Sequence, residues 1–148
     1  MRVLLVQHQR RFAVNRPLIL RQAKALAHCA QKRTPQLPWR EVTIHLQDDA
    51  GSDHIHQLIM NQSGATDVIT QRYESLPGEP EGLIGELFVN VERAETIRKR
   101  ATWTSERELL LYIAHGMDHL TGANDATPAE RAAMRRRELA WLRTIRGM

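Results

Sequence analysis

Cysteine is nearly absent from this sequence of 148 residues, in which Cys29 is the single example. One thiol cannot form a disulfide bond within the chain, so stability must come from packing and from any bound metal, as is usual in a reducing compartment. Long apolar runs are also absent. The longest, residues 109–114, is far too short to span a bilayer, and residues 3–6 are too few for the core of a signal peptide. We therefore expect a cytoplasmic protein without a membrane-spanning segment.

The composition is that of an ordinary globular protein. Hydrophobic residues make up 42% and charged residues 26% of the sequence, which gives no reason to expect disorder or a fibrous form. A chain of 148 residues fits one domain with one core. The sequence has no internal repeat and no linker long enough to divide it, so we predict a single domain over residues 1–148.

The positive charge of the chain is concentrated near its end. The net charge is +4, and from residue 126 onward six arginines stand against two glutamates, which accounts for the whole excess. The six are Arg131, Arg135, Arg136, Arg137, Arg143 and Arg146. A basic segment favours partners that carry phosphate, although such a run of charge is more often only a solvated helix face.

Hydrophobic periodicity and helix start signals predict four strands and five helices. The predicted strands cover residues 3–7, 42–47, 67–73 and 83–91. The predicted helices cover residues 15–30, 54–62, 91–101, 105–120 and the segment from 127 onward. Ser105 and Glu108 are interpreted as a capping box for the fourth helix, and Thr127, Pro128 and Glu130 mark the start of the fifth. The order β-α-β-α-β-β-α-α-α, with helices gathered toward the end, predicts the α+β class.

The stretch HGMDHLTGAND, residues 115–125, has the residue types of a metal site. His115 and His119 are four residues apart, which on a helix places them about 40° apart and one turn along the same face. Gly122 is expected to end the helix, because glycine accepts left-handed backbone angles, and the chain can then return Asp125 toward the histidines. Two imidazoles and a carboxylate suit zinc, with a fourth position for water whose pKa the metal would lower.

Simpler interpretations of this stretch remain open. Two histidines at this spacing often occur on a helix by chance, and the segment containing Asp125 also fits a turn that only helps to begin the last helix. Gly116 stands where helical zinc proteases of the His-Glu-x-x-His type have the glutamate that takes a proton from water, so ordinary proteolysis is disfavoured. Asp118 is interpreted as a solvated group or as one that supports the ligands from behind.

The same stretch resembles the signature His-Gly-x-x-His-Leu-x-Gly-x-x-His of the YbeY family, bacterial zinc-dependent endoribonucleases, and matches it at all but the last position. GATDVIT resembles the family's Pro-Thr-Asp-Val-Leu-Ser segment, and LIGELFVNV resembles its Leu-Gly-Asp-Ile-Val-Ile strand. The resemblance covers roughly residues 40–142. It implies a mixed sheet of about four strands flanked by helices, with a metal site on a late helix.

The resemblance also implies an activity. The expected protein is a zinc-dependent endoribonuclease that cuts single-stranded RNA in ribosomal RNA maturation and ribosome quality control, with ribosomal RNA and the ribosome as partners. His115, His119 and Asp125 would hold one zinc ion per chain, and His115 is also assigned a catalytic role. The basic tail would help to hold RNA, because on a helix five of its arginines project into an arc of about 140°. These five are Arg131, Arg135, Arg136, Arg143 and Arg146.

Two positions depart from the family pattern. Asp125 stands where the family has its third histidine, and its negative charge would make the metal a weaker Lewis acid. Met60 stands where the family has an arginine associated with RNA phosphate. Arg72 is a candidate replacement, because guanidinium groups pair well with phosphate oxygens, although a plain surface arginine is the simpler interpretation. Two alternatives therefore stay open, namely a metal-binding ribosome- or RNA-associated protein with impaired catalysis, and a metallohydrolase of other substrates, including peptides.

Overall fold

The structure, a computed structural model, describes residues 1–96 and 102–146. Its elements follow the predicted order, which confirms the α+β class. They are β1 (Arg2–Gln7), α1 (Arg16–Gln31), β2 (Trp39–Gln47), α2 (Asp49–Met60), β3 (Val68–Tyr73), β4 (Leu83–Asn90), α3 (Val91–Thr96), α4 (Ser105–Leu120) and α5 (Pro128–Ile145). Residues 97–101 of the predicted third helix lie outside the described residues.

The four strands form one mixed sheet in the order β1-β2-β4-β3. Strand β2 pairs parallel with both β1 and β4. Strand β3 lies at the edge and pairs antiparallel with β4. The predicted mixed sheet of about four strands is therefore confirmed. Side chains alternate between the two faces of a sheet. One face of this sheet packs against α1 and α4, and the other face is directed away from these helices.

The core lies between the sheet and α4, which also packs against α1 and α5. Four apolar residues at helical spacing anchor α4 in this core, as their periodicity predicts. They are Leu109, Ile113, Met117 and Leu120, none of which is more than 3% exposed. Within the part of the chain that the structure describes, no helix has both the length and the apolar character needed to cross a membrane.

Two glycines let α4 lie close to the sheet. A Cβ atom added to Gly116 would lie 2.8 Å from Leu87 Cδ2 and 3.2 Å from Val68 Cγ2. One added to Gly85 would lie 2.7 Å from Leu120 Cδ1. The absence of a side chain at both positions thus sets the distance between the helix and the strands.

The helix starts agree with the predictions at α1 and α5 and differ at α2 and α4. Asn15 and Thr127 cap α1 and α5 by accepting backbone N–H groups, as predicted. The cap of α4 is Thr104, whose hydroxyl accepts from the N–H of Arg107, so the predicted Ser105 cap was one residue too late. Helix α2 begins at Asp49 rather than at residue 54. Its first turn was mistaken for a loop because it is acidic and contains a glycine.

Candidate metal centre

The two histidines of HGMDHLTGAND lie on the last two turns of α4. The helix ends at Leu120, and Gly122 then adopts a φ of 94°, with its N–H donating to the carbonyl of His119. This left-handed residue turns the chain back along the helix end, as predicted. The turn brings Asp125 beside both imidazole rings.

The three side chains converge on one point. His115 Nε2 and His119 Nε2 are 3.2 Å apart. Asp125 Oδ2 lies 3.6 Å from the first of these nitrogens and 3.3 Å from the second. All three ligand atoms lie within 4.8 Å of one another, a grouping that could hold a metal ion. A tetrahedral zinc site places its nitrogen and oxygen ligands about 2.0–2.2 Å from the metal, and neighbouring ligand atoms at such a site have similar separations.

The hydrogen bonds on the far side of each ring determine what the facing atoms can do. His119 Nδ1 is 3.2 Å from the carbonyl oxygen of Ala123, and His115 Nδ1 is 2.8 Å from Glu138 Oε2. A carbonyl and a carboxylate only accept hydrogen bonds, so both Nδ1 atoms donate. In the neutral rings both Nε2 atoms then carry lone pairs. Two lone pairs and a carboxylate oxygen therefore face one another, an arrangement that a shared cation stabilises.

Glu138 on α5 is the residue that orients His115. Its side chain is fully buried, whereas the His115 and His119 side chains are 25% and 27% exposed. Burial alone would lower the pKa of His115, but the hydrogen bond to Glu138 and its negative charge outweigh burial and raise that pKa. A buried carboxylate that receives the second ring N–H is the usual support of a metal-binding histidine. Sequence reasoning missed Glu138, which lies 23 residues from His115.

Asp118 is not solvated, and that part of its interpretation was wrong. Its side chain is fully buried and accepts two hydrogen bonds from Arg137, at 2.9 and 3.1 Å. Burial raises the pKa of Asp118, and Arg137 offsets only part of this effect. The pair joins α4 to α5 next to Glu138. It thus fixes the helix that carries Glu138 against the helix that carries the histidines.

The tail arginines separate into two groups along α5. Arg131 donates to the carbonyl of Asp125 at 3.0 Å and so braces the loop of the candidate ligand. Arg135 Nε lies 3.6 Å from Glu138 Oε1, and its charge acts on His115. These two arginines lie at the metal end of the helix. Arg136, Arg143 and Arg146 are exposed, and the last two lie toward its other end.

Arg72 lies beside the loop that joins His119 to Asp125. Its Nη1 atom donates to the carbonyl of Leu120 at 3.1 Å and is 3.8 Å from where a Cβ of Gly122 would stand. One-third of its side chain is exposed. Met60 is 50% exposed at the end of α2. The structure thus puts Arg72 next to the site, whereas the side chain of Met60 offers no charge to a phosphate.

A second cluster of histidines lies on the face of the sheet directed away from α4, and sequence reasoning missed it. His45 Nε2 is 2.8 Å from Glu86 Oε2, and His45 Nδ1 is 2.8 Å from His8 Nε2. The ring of His45 also stacks on that of Phe88, at a centroid distance of 4.6 Å, whereas the His8 ring lies edge to edge with it, at 5.0 Å. Burial, followed by the charge of His45, lowers the pKa of His8. We call this group the sheet-face cluster.

Comparison with known proteins bears on the family and on the fold. The family model described as Endoribonuclease YbeY matches residues 5–146. Endoribonuclease YbeY from Arthrobacter sp. (strain FB24) is 33% identical over 119 residues, which are 76% of this chain and 76% of that protein. The protein of the same name from Rhodopirellula baltica is 39% identical over 106 residues, 70% of this chain and 53% of that protein. A solution structure from Thermotoga maritima, 19% identical, has a TM-score of 0.63 and covers 99% of this chain and 90% of its own, which supports the fold.

Proposed function

Because the chain belongs to the YbeY endoribonuclease family, we propose that it is a zinc-dependent endoribonuclease that cuts single-stranded RNA. Family membership supports a hydrolase that acts on RNA. The observation that carries the metal dependence is the convergence of three hydrogen-bond acceptors, His115 Nε2, His119 Nε2 and Asp125 Oδ2. We expect about one zinc ion per chain at this point.

The residues present fit a zinc ion. Two imidazoles and a carboxylate are a common set of three protein ligands at catalytic zinc sites. Glu138 and the Ala123 carbonyl hold the rings so that the Nε2 atoms remain free for the metal. When bound, zinc supplies a Lewis acid and lowers the pKa of coordinated water. His115, oriented by the fully buried Glu138, is the ligand to which we assign a direct role in catalysis.

Arginines around the site would hold the RNA backbone. Arg135 lies close enough to His115 for its charge to act on that ring, and its side chain is 43% exposed. Arg72 lies on the other side of the loop with one-third of its side chain exposed, and its guanidinium contacts the Leu120 carbonyl and the exposed Glu74. Guanidinium groups bind phosphate oxygens through paired hydrogen bonds. We propose that these two contact phosphates near the cut bond, and that Arg131, Arg136 and Arg143 on the same helix as Arg135 add sequence-independent attraction.

The proposed place of this activity is the cytoplasm, in ribosomal RNA maturation and ribosome quality control. Ribosomal RNA exposes single-stranded segments, which suit a site whose positive groups contact the backbone and do not form a base-reading surface. The ribosome is accordingly the proposed partner.

A second candidate function follows from Met60 and Asp125. Met60 brings no positive charge, and a carboxylate ligand makes the metal less acidic than a third imidazole would. A protein with these two residues that binds metal and RNA without cutting RNA is the alternative. A peptide hydrolase is disfavoured, because Leu87 and Val68 occupy the space that a side chain at position 116 would need.

Cleavage of labelled single-stranded RNA, with and without a chelator, tests the proposal. We expect cleavage that stops on chelation, returns with zinc and is absent from His119→Ala. A duplex of the same sequence should be cut far more slowly, and peptide substrates should be left intact. Cleavage that survives complete removal of metal would contradict zinc dependence. Metal and RNA binding without cleavage would instead support the second candidate.

A further inference from the structure

The surface between α1 and the end of α5 is bordered by cations that form no ion pair with any carboxylate of the described residues. Residues 16–33 include five lysines and arginines and no acidic residue, and α5 has none after Glu138. This surface contains two hollows of about 220 and 420 Å³, each lined by residues of both α1 and the α5 end. Four cationic side chains border them, and we call this surface the basic groove. They are Arg107 and Arg146 at the smaller hollow and Arg21 and Lys32 at the larger.

Arg107 shows how the basic groove is organised. Its guanidinium lies over the ring of Trp103, with the carbon 4.4 Å from the ring centroid, so its orientation is fixed. Burial lowers the pKa of Arg107, and the charges of Arg146 and Arg143 lower it further. Arg107 and Arg146 also line the same hollow, so these two like charges lie close together. Within residues 1–96 and 102–146 none of these three arginines forms an ion pair, which leaves an anion from outside to relieve their repulsion.

The floor and rim of the smaller hollow add a second kind of contact. Leu18, Leu110, Leu142 and Ile145 line it, next to the polar Gln22 and Thr104. Glu106 is the one carboxylate among the described residues that line either hollow, and its side chain is exposed. An apolar floor below a cationic rim suits a base or a sugar attached to a phosphate.

We propose that the basic groove is a second RNA-binding surface, which holds the sugar–phosphate backbone of the substrate away from the place where it is cut. The proposal rests on the proposed function for the choice of RNA among polyanions. Arg107 lies in the first turn of α4, whereas His115 and His119 lie in its last two turns, about 12 and 18 Å farther along the axis at 1.5 Å per residue. An RNA strand that reaches the metal centre extends beyond it, and the basic groove binds such an extension without regard to sequence.

Binding of a labelled single-stranded oligoribonucleotide at several salt concentrations, in chelator so that no cutting occurs, tests this inference. The variant combines Arg21→Gln, Lys32→Gln and Arg146→Gln, three exposed positions. A control of equal charge removes three exposed cations at the β1 and β2 side of the molecule, with Arg2→Gln, Arg10→Gln and Arg40→Gln. Two of these cations, Arg2 and Arg40, pair with Glu41 and Glu79. Both variants lose the same net charge. Their circular dichroism and thermal melting should match those of the parent.

The expected result is a difference between the two variants. Loss of three phosphate contacts at about 0.7 each should make the log–log salt slope about 2 units less negative in the groove variant. The control should keep the parental slope. Equal slopes in both variants, or no RNA binding by the parent, would overturn the inference. Binding of polyglutamate as tight as that of RNA, with the same loss in the groove variant, would also overturn it and indicate a surface for any polyanion.

The RNA-binding assay and the RNA-cleavage assay test the two proposals separately. If the two variants differ in the salt slope of RNA binding but the protein never cuts RNA, the basic groove is supported and the proposed nuclease activity is contradicted. If the protein cuts RNA with zinc but the two variants have the same salt slope, the nuclease activity is supported and the basic groove is contradicted as an RNA-binding surface.

Discussion

The candidate metal centre and the sheet-face cluster contain the same kinds of side chain, yet only one of them converges on a point. At the metal centre each ring uses Nδ1 for support, which leaves the Nε2 atoms of His115 and His119 facing Asp125. In the sheet-face cluster His45 uses both ring nitrogens, one toward Glu86 and one toward His8. Two histidines and a carboxylate thus converge on one point in the first place and form a hydrogen-bonded chain in the second. The two clusters have the same composition, and only the first leaves two imidazole nitrogens free to face a shared cation.

The largest expected effect comes from removing a histidine of each cluster in turn. His119→Ala should weaken zinc binding by at least about a hundredfold, since loss of a direct ligand should exceed the roughly 10–100-fold loss seen for supporting partners. His45→Ala should leave both affinity and stoichiometry unchanged. Elemental analysis and competitive zinc titration measure both. An equal loss of zinc affinity in the two variants would contradict the claim that only the candidate metal centre binds zinc.

Asp125→Ala should weaken zinc binding by roughly tenfold or more, because the carboxylate is the third of the converging groups. Asn124→Ala, its exposed neighbour, is the matched control and should bind like the parent. If Asp125→Ala and the parent bind zinc equally, Asp125 belongs only to the turn before α5.

Glu138→Gln should weaken zinc binding by about tenfold, the lower end for a supporting partner, because the amide oxygen can still accept from His115. Glu106→Gln removes an exposed carboxylate at the other end of α4 and serves as control. A thermal melt must accompany the titration, since Glu138 is fully buried. Full zinc affinity in a folded Glu138→Gln variant would show that the carboxylate of Glu138 is not needed to orient His115.

The smallest effect concerns protons in the sheet-face cluster. The pKa of His8 lies below 6.5 because of burial and the charge of His45. The unfolded chain therefore takes up this proton first, and the folded protein loses stability as the pH falls from about 6.5 through the lowered pKa. In His45→Phe the pKa of His8 should rise toward its ordinary value, as followed by NMR of the ring protons. An unchanged titration would mean that burial alone sets this pKa.

The order of elements could be predicted from the sequence because it depends on local periodicity and capping. His115, His119, Gly122 and Asp125 were predictable for the same reason, since they lie within eleven residues. Glu138 could not be, because its contact depends on how α5 packs against α4. The sheet-face cluster likewise joins residues 37 and 41 positions apart. Strand order and the antiparallel edge strand β3 are also long-range features that no local pattern encodes.

The start of α2 was missed for a different reason, which is local. Asp48 accepts the N–H of Gly51 and so begins the helix within an acidic stretch that has the composition of a turn. A Cβ at Gly51 would lie 3.2 Å from Gln47 Cβ, so glycine relieves crowding where β2 meets α2. The residue that suggested a break therefore permits the helix to begin.

The close seating of α4 on the sheet also limits how this fold can change its chemistry over evolution. A helical zinc protease needs a glutamate directly after its first histidine. Here that position is Gly116, and Leu87 of β4 fills the space beside it. A glutamate at position 116 would require the buried side chain of Leu87 to move. The route from this site to a protease is therefore not a single mutational step.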